Sequence, residues 1–315
     1  MGIITIYADA QAPARAPTRA SAHANAHAKI NLTLTLTGRR QDGYHLMESL
    51  VVFADLADRI TMTPLDQGQD TLTITGTQAD GLNTIDRADN LLIKAMTLYR
   101  DQTGWRPSFS INLEKNIPIA AGIGGGSSDA AAVLTALNRL NPNPCSDDEL
   151  AAIGLRLGAD LPVCLKQFHG PYWRMQGIGE ILDPLHFSDL NQAGLILINP
   201  MIGIATKDVF HHLSTQAFTP PGDDFMDADL AAWLDRGNDM TAAAEIIEPQ
   251  VSHCLRLLEA LNDQAGFRHH GMSGSGATCY ALFDHVDQAK AAYPVIKDQI
   301  AWSWVGKILN QHDID

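Results

Sequence analysis

The sequence has 315 residues, of which 45% are hydrophobic and 18% charged, so it is long enough for two modest globular domains. Its formal net charge of −14 argues against a general binder of nucleic acids or anionic membranes, because such proteins carry a basic surface. The four cysteines show no zinc or disulfide spacing, and no apolar run approaches the roughly 20 residues of a membrane span. We therefore expect a cytoplasmic protein without nucleic-acid or membrane partners. A monomer or weak homodimer is the working expectation for its assembly.

The first 27 residues are predicted to be a flexible leader. The stretch from residue 8 to residue 27 is rich in Ala, Pro and Arg and shows no apolar period. The basic and hydroxyl residues Arg15, Arg19 and Ser21 leave a transit peptide open as an alternative.

Strand patterns follow the leader. The segment AKINLTLTLTG at 28–38 places a leucine at every second position of its second half, which predicts a strand. The segments TLTITG at 71–76 and SFSINLEK at 108–115 alternate in the same way. Between them, NLLIKAMTLYRDQTG has apolar residues at helical spacing and ends at Gly104, which predicts a helix.

Helix and strand patterns alternate through the rest of the chain. The segment SDDELAAIGLRLG opens with Ser146 and Glu149 in capping-box spacing and stops at Gly158, so it is predicted to be a helix. The segments GLILINP and ATCYALF predict strands, and residues 240–264 and 287–296 predict helices. This mixture predicts an α+β protein.

The most unusual stretch is PIAAGIGGGSSDAAAVLTAL at 118–137, which contains four glycines in five positions. Apolar spacing after it predicts a helix that begins close to Ser127 or Ser128. The first amides of a helix have no intrahelical acceptor and carry the positive end of its dipole, while glycines ahead of it let an anion approach closely. We interpret the stretch as a phosphate-binding loop, and a tight strand-to-helix turn is the alternative. The lysine of a Walker loop and the third glycine of a dinucleotide fingerprint are both missing.

Four segments together resemble the GHMP kinases. PIAAGIGGGSSDAAA resembles the nucleotide loop of that family, with alanine at 120 and 121 where many relatives have glycine. The segments AKINLTLTLTGRRQDGYHLMESL at 28–50, LGADLPVCL at 157–165 and GMSGSGATCYALF at 271–283 resemble those members whose alcohol substrate carries a cytidine diphosphate group.

The resemblance implies a two-domain fold. It predicts an N-terminal ATP domain like ribosomal protein S5 over 28–175, a ferredoxin-like C-terminal domain over 176–315, and an active site in the cleft between them. The implied reaction is ATP-dependent phosphorylation of the 2-hydroxyl of 4-diphosphocytidyl-2-C-methyl-D-erythritol, in the non-mevalonate route to isoprenoids. Mg²⁺ is expected on the nucleotide, and no metal-ligating residues are assigned. Kinases of small alcohols such as homoserine or mevalonate, and an inactive sensor on the same fold, are the alternatives.

Two residues are the candidate catalytic pair. The resemblance assigns Asp160 as the base that accepts the hydroxyl proton and Lys29 as its cationic partner, which neutralises developing charge. From the residues alone, a capping or turn aspartate before Pro162 is the favoured explanation of Asp160, and a solvated lysine that of Lys29.

The resemblance also implies two binding sets. In the substrate set, the rings of Tyr44 and Phe210 hold the cytosine between them and His45 forms hydrogen bonds with it, although a hairpin turn at DGYH and a core position for Phe210 are alternatives. The full substrate set is Asn31, Tyr44, His45, Thr206, Phe210 and Gly274. The nucleotide set is Pro118, Ala121, Gly122, Gly124, Gly125, Gly126, Ser127 and Ser128, with Asn90 and Lys115 near the adenine.

Overall fold

A computed structural model describes residues 3–5, 21–82, 89–213, 218–219, 226 and 228–314. Strands in the described residues are β1 (Ile3–Thr5), β2 (Ala22–Asn31), β3 (Thr35–Arg39), β4 (His45–Leu65), β5 (Thr71–Thr75), β6 (Ser108–Glu114), β7 (Tyr172–Gly177), β8 (Ile181–Pro184), β9 (Gly194–Asn199), β10 (Phe267–Met272), β11 (Cys279–Phe283) and β12 (Trp302–Lys307). Helices are α1 (Ala79–Leu82), α2 (Leu91–Thr103), α3 (Gly125–Leu140), α4 (Asp147–Leu157), α5 (Leu161–Lys166), α6 (Thr206–His212), α7 (Leu230–Leu234), α8 (Thr241–Ile247), α9 (Gln250–Glu259) and α10 (Val286–Ala292).

The chain forms two compact units that interleave along the sequence. Unit 1 consists of Met1–His27, Leu56–Ile119 and Gly125–Leu165, and unit 2 of Ala28–Asp55, Ala120–Gly124 and Lys166–Asp315. The predicted boundary between residues 175 and 176 stays a prediction, because compact units and sequence domains need not share their limits.

Unit 1 is built on β5 and β6, which run parallel and are joined through α2. On its other edge β6 pairs antiparallel with the last part of β4, from Arg59 to Leu65. Helix α2 is capped at both ends by its own sequence, since the Asn90 side chain accepts the Leu92 N–H and Gly104 ends the helix in the left-handed region at φ 68°. The helix and strands predicted between residues 71 and 115 are therefore confirmed.

Unit 2 contains a four-stranded antiparallel sheet in the order β10-β11-β9-β12. With helices between β9 and β10 and between β11 and β12, the strand order is that of a ferredoxin-like βαββαβ unit. Every residue of strand β9 (GLILIN) is buried, and the strand is accordingly apolar at all positions but Asn199, counting its glycine. Helices α8, α9 and α10 bury their apolar stripes in the core cluster that includes β9 and β11.

Several element predictions need correction. The predicted helix 240–264 is two helices, α8 and α9, because the chain breaks at Glu248 and Pro249. The predicted strand 28–38 is likewise split, since β2 ends at Asn31 and β3 begins at Thr35. The Ser146 capping box of α4 is confirmed.

The predicted leader is too long at its C-terminal end. Residues 22–27 form the first part of β2, with Ala24 and Ala26 buried, so this part of the prediction is wrong. The small alanines conceal the strand period, because they carry little apolar surface. Residues Ile3–Thr5 pair with β5 as strand β1, which also contradicts a flexible leader, and residues 1–2 and 6–20 lie outside the described residues. Among the helices described, no span is long and apolar enough to cross a bilayer.

Candidate active site

The glycine-rich stretch ends in a long helix whose start differs from the prediction. Helix α3 begins at Gly125, two to three residues before the predicted start at Ser127 or Ser128. Only Gly122 and Gly124 of the four glycines lie ahead of it, at φ 74° and 70°. Such left-handed angles are strained for residues with a side chain. The N–H groups of residues 125–128 are therefore the helix's first four amides, which have no intrahelical acceptor.

The segment before the helix, Ala120–Gly124 in unit 2, is held by the 271–283 motif. The Ala121 carbonyl accepts hydrogen bonds from the Thr278 hydroxyl at 2.5 Å and from the Thr278 N–H at 3.3 Å. A Cβ at Gly122 would clash with the Gly276 carbonyl oxygen. The structure thus brings together two segments that carried the resemblance, and it shows why residue 122 must be glycine.

The candidate catalytic lysine is attached to the same segment through its backbone. Lys29 lies on β2, is only 3% exposed, and donates its N–H to the Ile123 carbonyl at 3.0 Å. Two residues further along, Asn31 is fully buried and donates its N–H to the Ser273 hydroxyl at 3.0 Å and its amide Nδ2 to the Ser49 hydroxyl at 2.7 Å.

Asn31 also supplies an acceptor that is already in place. Its Oδ1 is buried and makes no hydrogen bond within the described part of the chain. A Cβ at Gly274, which has φ 58°, would lie 3.4 Å from this oxygen. Since a buried acceptor without a donor is unfavourable, Asn31 Oδ1 is well suited to accept a hydrogen bond from a ligand hydroxyl. This fits the predicted substrate role of Asn31 and Gly274.

Asp160 lies in unit 1, half-buried, directly before α5. Its backbone carbonyl accepts the Cys164 N–H at 3.2 Å, as expected of a residue that opens a helix. This position fits both a turn aspartate and a catalytic base, so the base role stays a prediction. Because Asp160 and Lys29 belong to different units, their meeting also stays a prediction.

The first turn of α3 presents an uneven surface to ligands. Gly126 is exposed and Gly125 and Ser127 are half-buried. Ser128 is fully buried and donates its hydroxyl to the His27 carbonyl at 2.7 Å. We therefore assign the Ser128 side chain a supporting role, and contact between its hydroxyl and a nucleotide would require this bond to break. Pro118 is buried, and its nucleotide contact stays a prediction.

Both residues predicted near the adenine have structural partners. Asn90 caps α2 through its side-chain oxygen, at 3.0 Å from the Leu92 nitrogen. Lys115 is 2% exposed, and its ammonium donates to Asp129 at 2.7 Å and also to Asp58. The adenine contacts stay predictions, and the ammonium of Lys115 is engaged by two carboxylates.

Two of the side chains predicted to bind the base, His45 and Phe210, stack on each other, a contact that was not predicted. His45 and Phe210 lie face to face, with ring centroids 4.7 Å apart and an interplanar angle of 8°. Tyr44, which directly precedes His45 in the sequence, is 61% exposed. Phe218 meets His45 edge-on with centroids 6.5 Å apart. One face of Phe210 is therefore covered by the His45 imidazole, and Phe210 also packs against the core cluster of unit 2.

The electrostatic state of His45 follows from its surroundings. Burial lowers the pKa of His45 below its usual 6.5, and the positive charge of Arg39 lowers it further. The imidazole is thus neutral at pH 7, with one donor and one acceptor nitrogen for hydrogen bonding to a base.

Thr206 opens α6, and its hydroxyl lies 2.9 Å from that of Ser275. The contact joins this predicted substrate residue to the 271–283 motif. Its side chain is exposed, so its substrate role stays a prediction.

Sequence reasoning missed several polar residues around these segments. Ser273 and Ser275 lie in a motif that was recognised, but their partners Asn31 and Thr206 are far away in sequence. Asp129 directly follows the glycines and serines of the loop, which is a local signal that could have drawn attention to it. Asp58 carries no such signal, since its role depends on contacts with residues 115–117. No group of three or more His, Cys, Asp or Glu in the described residues is arranged to hold a metal ion.

Comparison with known proteins agrees with this geometry. A family model described as GHMP kinases N terminal domain matches residues 90–167, and one described as GHMP kinases C terminal matches residues 229–300. The 4-diphosphocytidyl-2-C-methyl-D-erythritol kinase of Brucella abortus is 43% identical over 280 residues, which cover 86% of this chain and 90% of the relative. The enzyme of the same name from Cereibacter sphaeroides is 45% identical over 280 residues, covering 87% of this chain and 94% of the relative.

A solved structure supports the same assignment. The crystal structure of a 4-(cytidine 5'-diphospho)-2C-methyl-D-erythritol kinase superposes with a TM-score of 0.73 and 30% identity, covering 92% of this chain and all of that one. The predicted α+β, two-domain GHMP kinase fold is thereby confirmed. The chain belongs to the GHMP kinase family and, within it, to the 4-diphosphocytidyl-2-C-methyl-D-erythritol kinases.

Proposed function

We propose that this chain transfers the γ-phosphoryl group of ATP to the 2-hydroxyl of 4-diphosphocytidyl-2-C-methyl-D-erythritol. The observation that carries the proposal is the attachment of Lys29 to the glycine-rich segment, in a chain that is 43% identical to kinases of that name. The ammonium-bearing residue and the phosphate-binding backbone then belong to one hydrogen-bonded arrangement. We expect the enzyme to work in the cytoplasm as a monomer or weak homodimer, and its cysteines are free thiols.

The first turn of α3 supports the nucleotide part of this proposal. Its amides at Gly125, Gly126 and Ser127 carry the positive end of a helix of 16 residues. Neutral amides can hold a triphosphate without adding formal charge, which suits a protein with a net charge of −14. Lys29 adds a cation against the charge that develops during transfer.

The metal requirement is consistent with the residues present. Mg²⁺ in kinases is bound through substrate phosphates, several waters and at most one or two carboxylates, so a dedicated cage of protein ligands is not needed. When bound, it would neutralise phosphate charge during transfer. We assign no residue of this chain as its ligand.

Asp160 is the proposed base, and the acceptor alcohol is aligned by the cytidine part of the substrate. A half-buried carboxylate can take the hydroxyl proton during transfer. Binding energy from the cytosine, which we place against Phe210 and Tyr44 with hydrogen bonds to His45, helps to orient the remote hydroxyl.

Replacement of Asp160 tests the base directly. Asp160→Asn removes the proton acceptor but little volume, so kcat should fall by about 10²–10⁴-fold with both KM values nearly unchanged. The measurement is steady-state ADP formation with the cytidylated alcohol. Asp148→Asn, at an exposed position of α4, is the matched control and should keep full activity. Retention of more than about a tenth of kcat in Asp160→Asn would reject the base role.

The same assay separates the alternatives. ADP formation should depend on the cytidylated alcohol, and homoserine, mevalonate and free methylerythritol phosphate should be very poor acceptors. Turnover with homoserine or mevalonate at a comparable rate would favour a small-alcohol kinase. Nucleotide binding without any turnover would favour an inactive sensor.

A further inference from the structure

Three charged side chains of unit 1 lie buried together, close to Asn116, Ile117 and Gly125. Asp58 of β4, Lys115 after β6 and Asp129 of α3 are 0%, 2% and 4% exposed. The Lys115 ammonium donates to both carboxylates, at 2.7 Å to Asp129 Oδ2. We call these three residues the loop clamp.

The loop clamp reaches the loop at its entry. Asp58 Oδ1 accepts the backbone N–H groups of Asn116 at 2.5 Å and Ile117 at 2.8 Å. These are the first residues after Lys115, where the chain leaves β6. One carboxylate therefore fixes the direction in which the backbone enters the loop, while its other oxygen binds the ammonium.

The loop clamp also reaches the loop at its exit. Asp129 lies four residues after Gly125, one turn along the same face of α3. A Cβ at Gly125 would lie 3.2 Å from Lys115 Nζ and 3.0 Å from Ile117 Cγ2. The first residue of the helix thus packs directly on the ammonium, and the absence of a side chain at residue 125 is what allows it.

The charge of the cluster sets a condition on this arrangement. Burial raises the pKa of Asp129 to about 8, with the Lys115 ammonium opposing the rise and the Asp58 carboxylate adding to it. Burial acts to lower the pKa of Lys115, but the two carboxylates outweigh it and raise that pKa. Lys115 therefore keeps its proton at pH 7, and its positive charge offsets the burial of the two acidic side chains.

We propose that Asp58, Lys115 and Asp129 are positioning residues for ATP, which hold the entry and exit of the glycine-rich loop so that the amides of α3 face the phosphates. Lys115 then supports nucleotide binding through the bonds of its ammonium to Asp58 and Asp129. This rests on the proposed function insofar as ATP is the ligand of the loop.

The test measures nucleotide affinity and activity separately. Binding of ADP and of a non-hydrolysable ATP analogue is titrated calorimetrically without any acceptor alcohol, and KM values are measured with it. Lys115→Met should weaken both nucleotides at least tenfold, while the KM of the cytidylated substrate stays within twofold. If the wild-type chain binds no adenine nucleotide, the proposed function fails; if a folded Lys115→Met variant binds as the wild type does, the loop clamp fails.

A milder variant covers the case in which Lys115→Met does not fold. Asp129→Asn keeps the shape of the side chain but removes its ion pair with Lys115, so it should fold and weaken both nucleotides, though less than Lys115→Met does. A folded Asp129→Asn variant that binds both nucleotides as the wild type does would overturn the proposal.

A matched control comes from another buried ion pair of unit 1. Asp70 accepts two hydrogen bonds from Arg100 and one from the Phe109 N–H of β6, but it does not contact the loop. Asp70→Asn should lower the melting temperature and leave nucleotide affinity unchanged. If Asp70→Asn and Lys115→Met weaken the nucleotides alike, the effect is one of general stability and the positioning role is rejected.

Discussion

The glycine-rich loop and the aromatic pair recognise their ligands with different parts of the chain. The loop offers backbone amides, and buried hydrogen bonds to Thr278 and Asp58 hold it in shape. The aromatic pair offers two side chains, His45 and Phe210, neither of which is fully buried. Changes in the loop should therefore damage stability and ATP binding together, whereas changes in the aromatic pair should affect only the cytidylated substrate.

Of changes in these two regions, a methyl group at Gly122 is expected to have the largest effect. Gly122→Ala would clash with the Gly276 carbonyl and strain a left-handed backbone, at a cost of about 1–3 kcal/mol in stability. Displacement of the loop by about 1 Å should lower kcat/KM for ATP by roughly 100-fold. Thermal unfolding and steady-state kinetics measure the two effects.

Gly104→Ala is the matched control for that change. Gly104 has nearly the same φ, 68° against 74°, but nothing lies within 4 Å of a Cβ placed there. It should lose stability from backbone strain and keep kcat/KM for ATP. If both variants leave ATP binding intact, the loop is only a structural turn.

A smaller effect, confined to the other ligand, is expected at Phe210. Phe210→Ala should raise the KM of the cytidylated substrate by about 5- to 150-fold, equivalent to roughly 1–3 kcal/mol of stacking, and leave that of ATP within about twofold. CMP should compete with the substrate in the wild type but not in this variant. Phe218→Ala, which removes an edge contact to His45, should have the weaker effect. An unchanged KM of the cytidylated substrate in Phe210→Ala would reject the proposed cytidine pocket and favour a small-alcohol kinase.

The smallest effect concerns the protonation of His45. Because its folded pKa lies below 6.5, the unfolded chain takes up the proton first, so this group's contribution to stability is present above pH 6.5 and is lost as the pH falls below it. The affinity for CMP should fall over the same range, as one ring nitrogen ceases to accept. His45→Gln should flatten this pH dependence, and identical CMP profiles for the two proteins would exclude His45 as an acceptor.

Local signals in the sequence located many elements but not the longest strand. Caps such as Ser146 and Gly104 act over a few residues, so their helices could be predicted. Strand β4, with 21 residues, was missed. Its apolar run from Leu50 to Ala54 is buried on both faces and shows no alternation, which removes the usual strand signal.

The site was predictable where it depends on backbone shape and not where it depends on distant partners. Gly122 stood out because glycines are rare in such density, although the bond that holds its neighbour comes from Thr278. The stack of His45 on Phe210 joins residues 165 positions apart in the chain, and no local pattern encodes it. The resemblance placed both residues in one set but did not give their mutual contact.

The interleaving of the two units has a consequence for synthesis on the ribosome. Every segment of unit 1 precedes Lys166, whereas unit 2 needs residues 28–55 and 120–124 together with residues 166–315. At about 5–20 residues per second, the segment that ends at Asp55 waits roughly 13–52 s for the rest of its unit. In the first part of that time the buried run Leu50–Val52 of β4 lacks its partner β7, and unpaired apolar strands are prone to aggregate. Nascent chains stalled shortly after Lys166 should therefore be the species on which chaperones act.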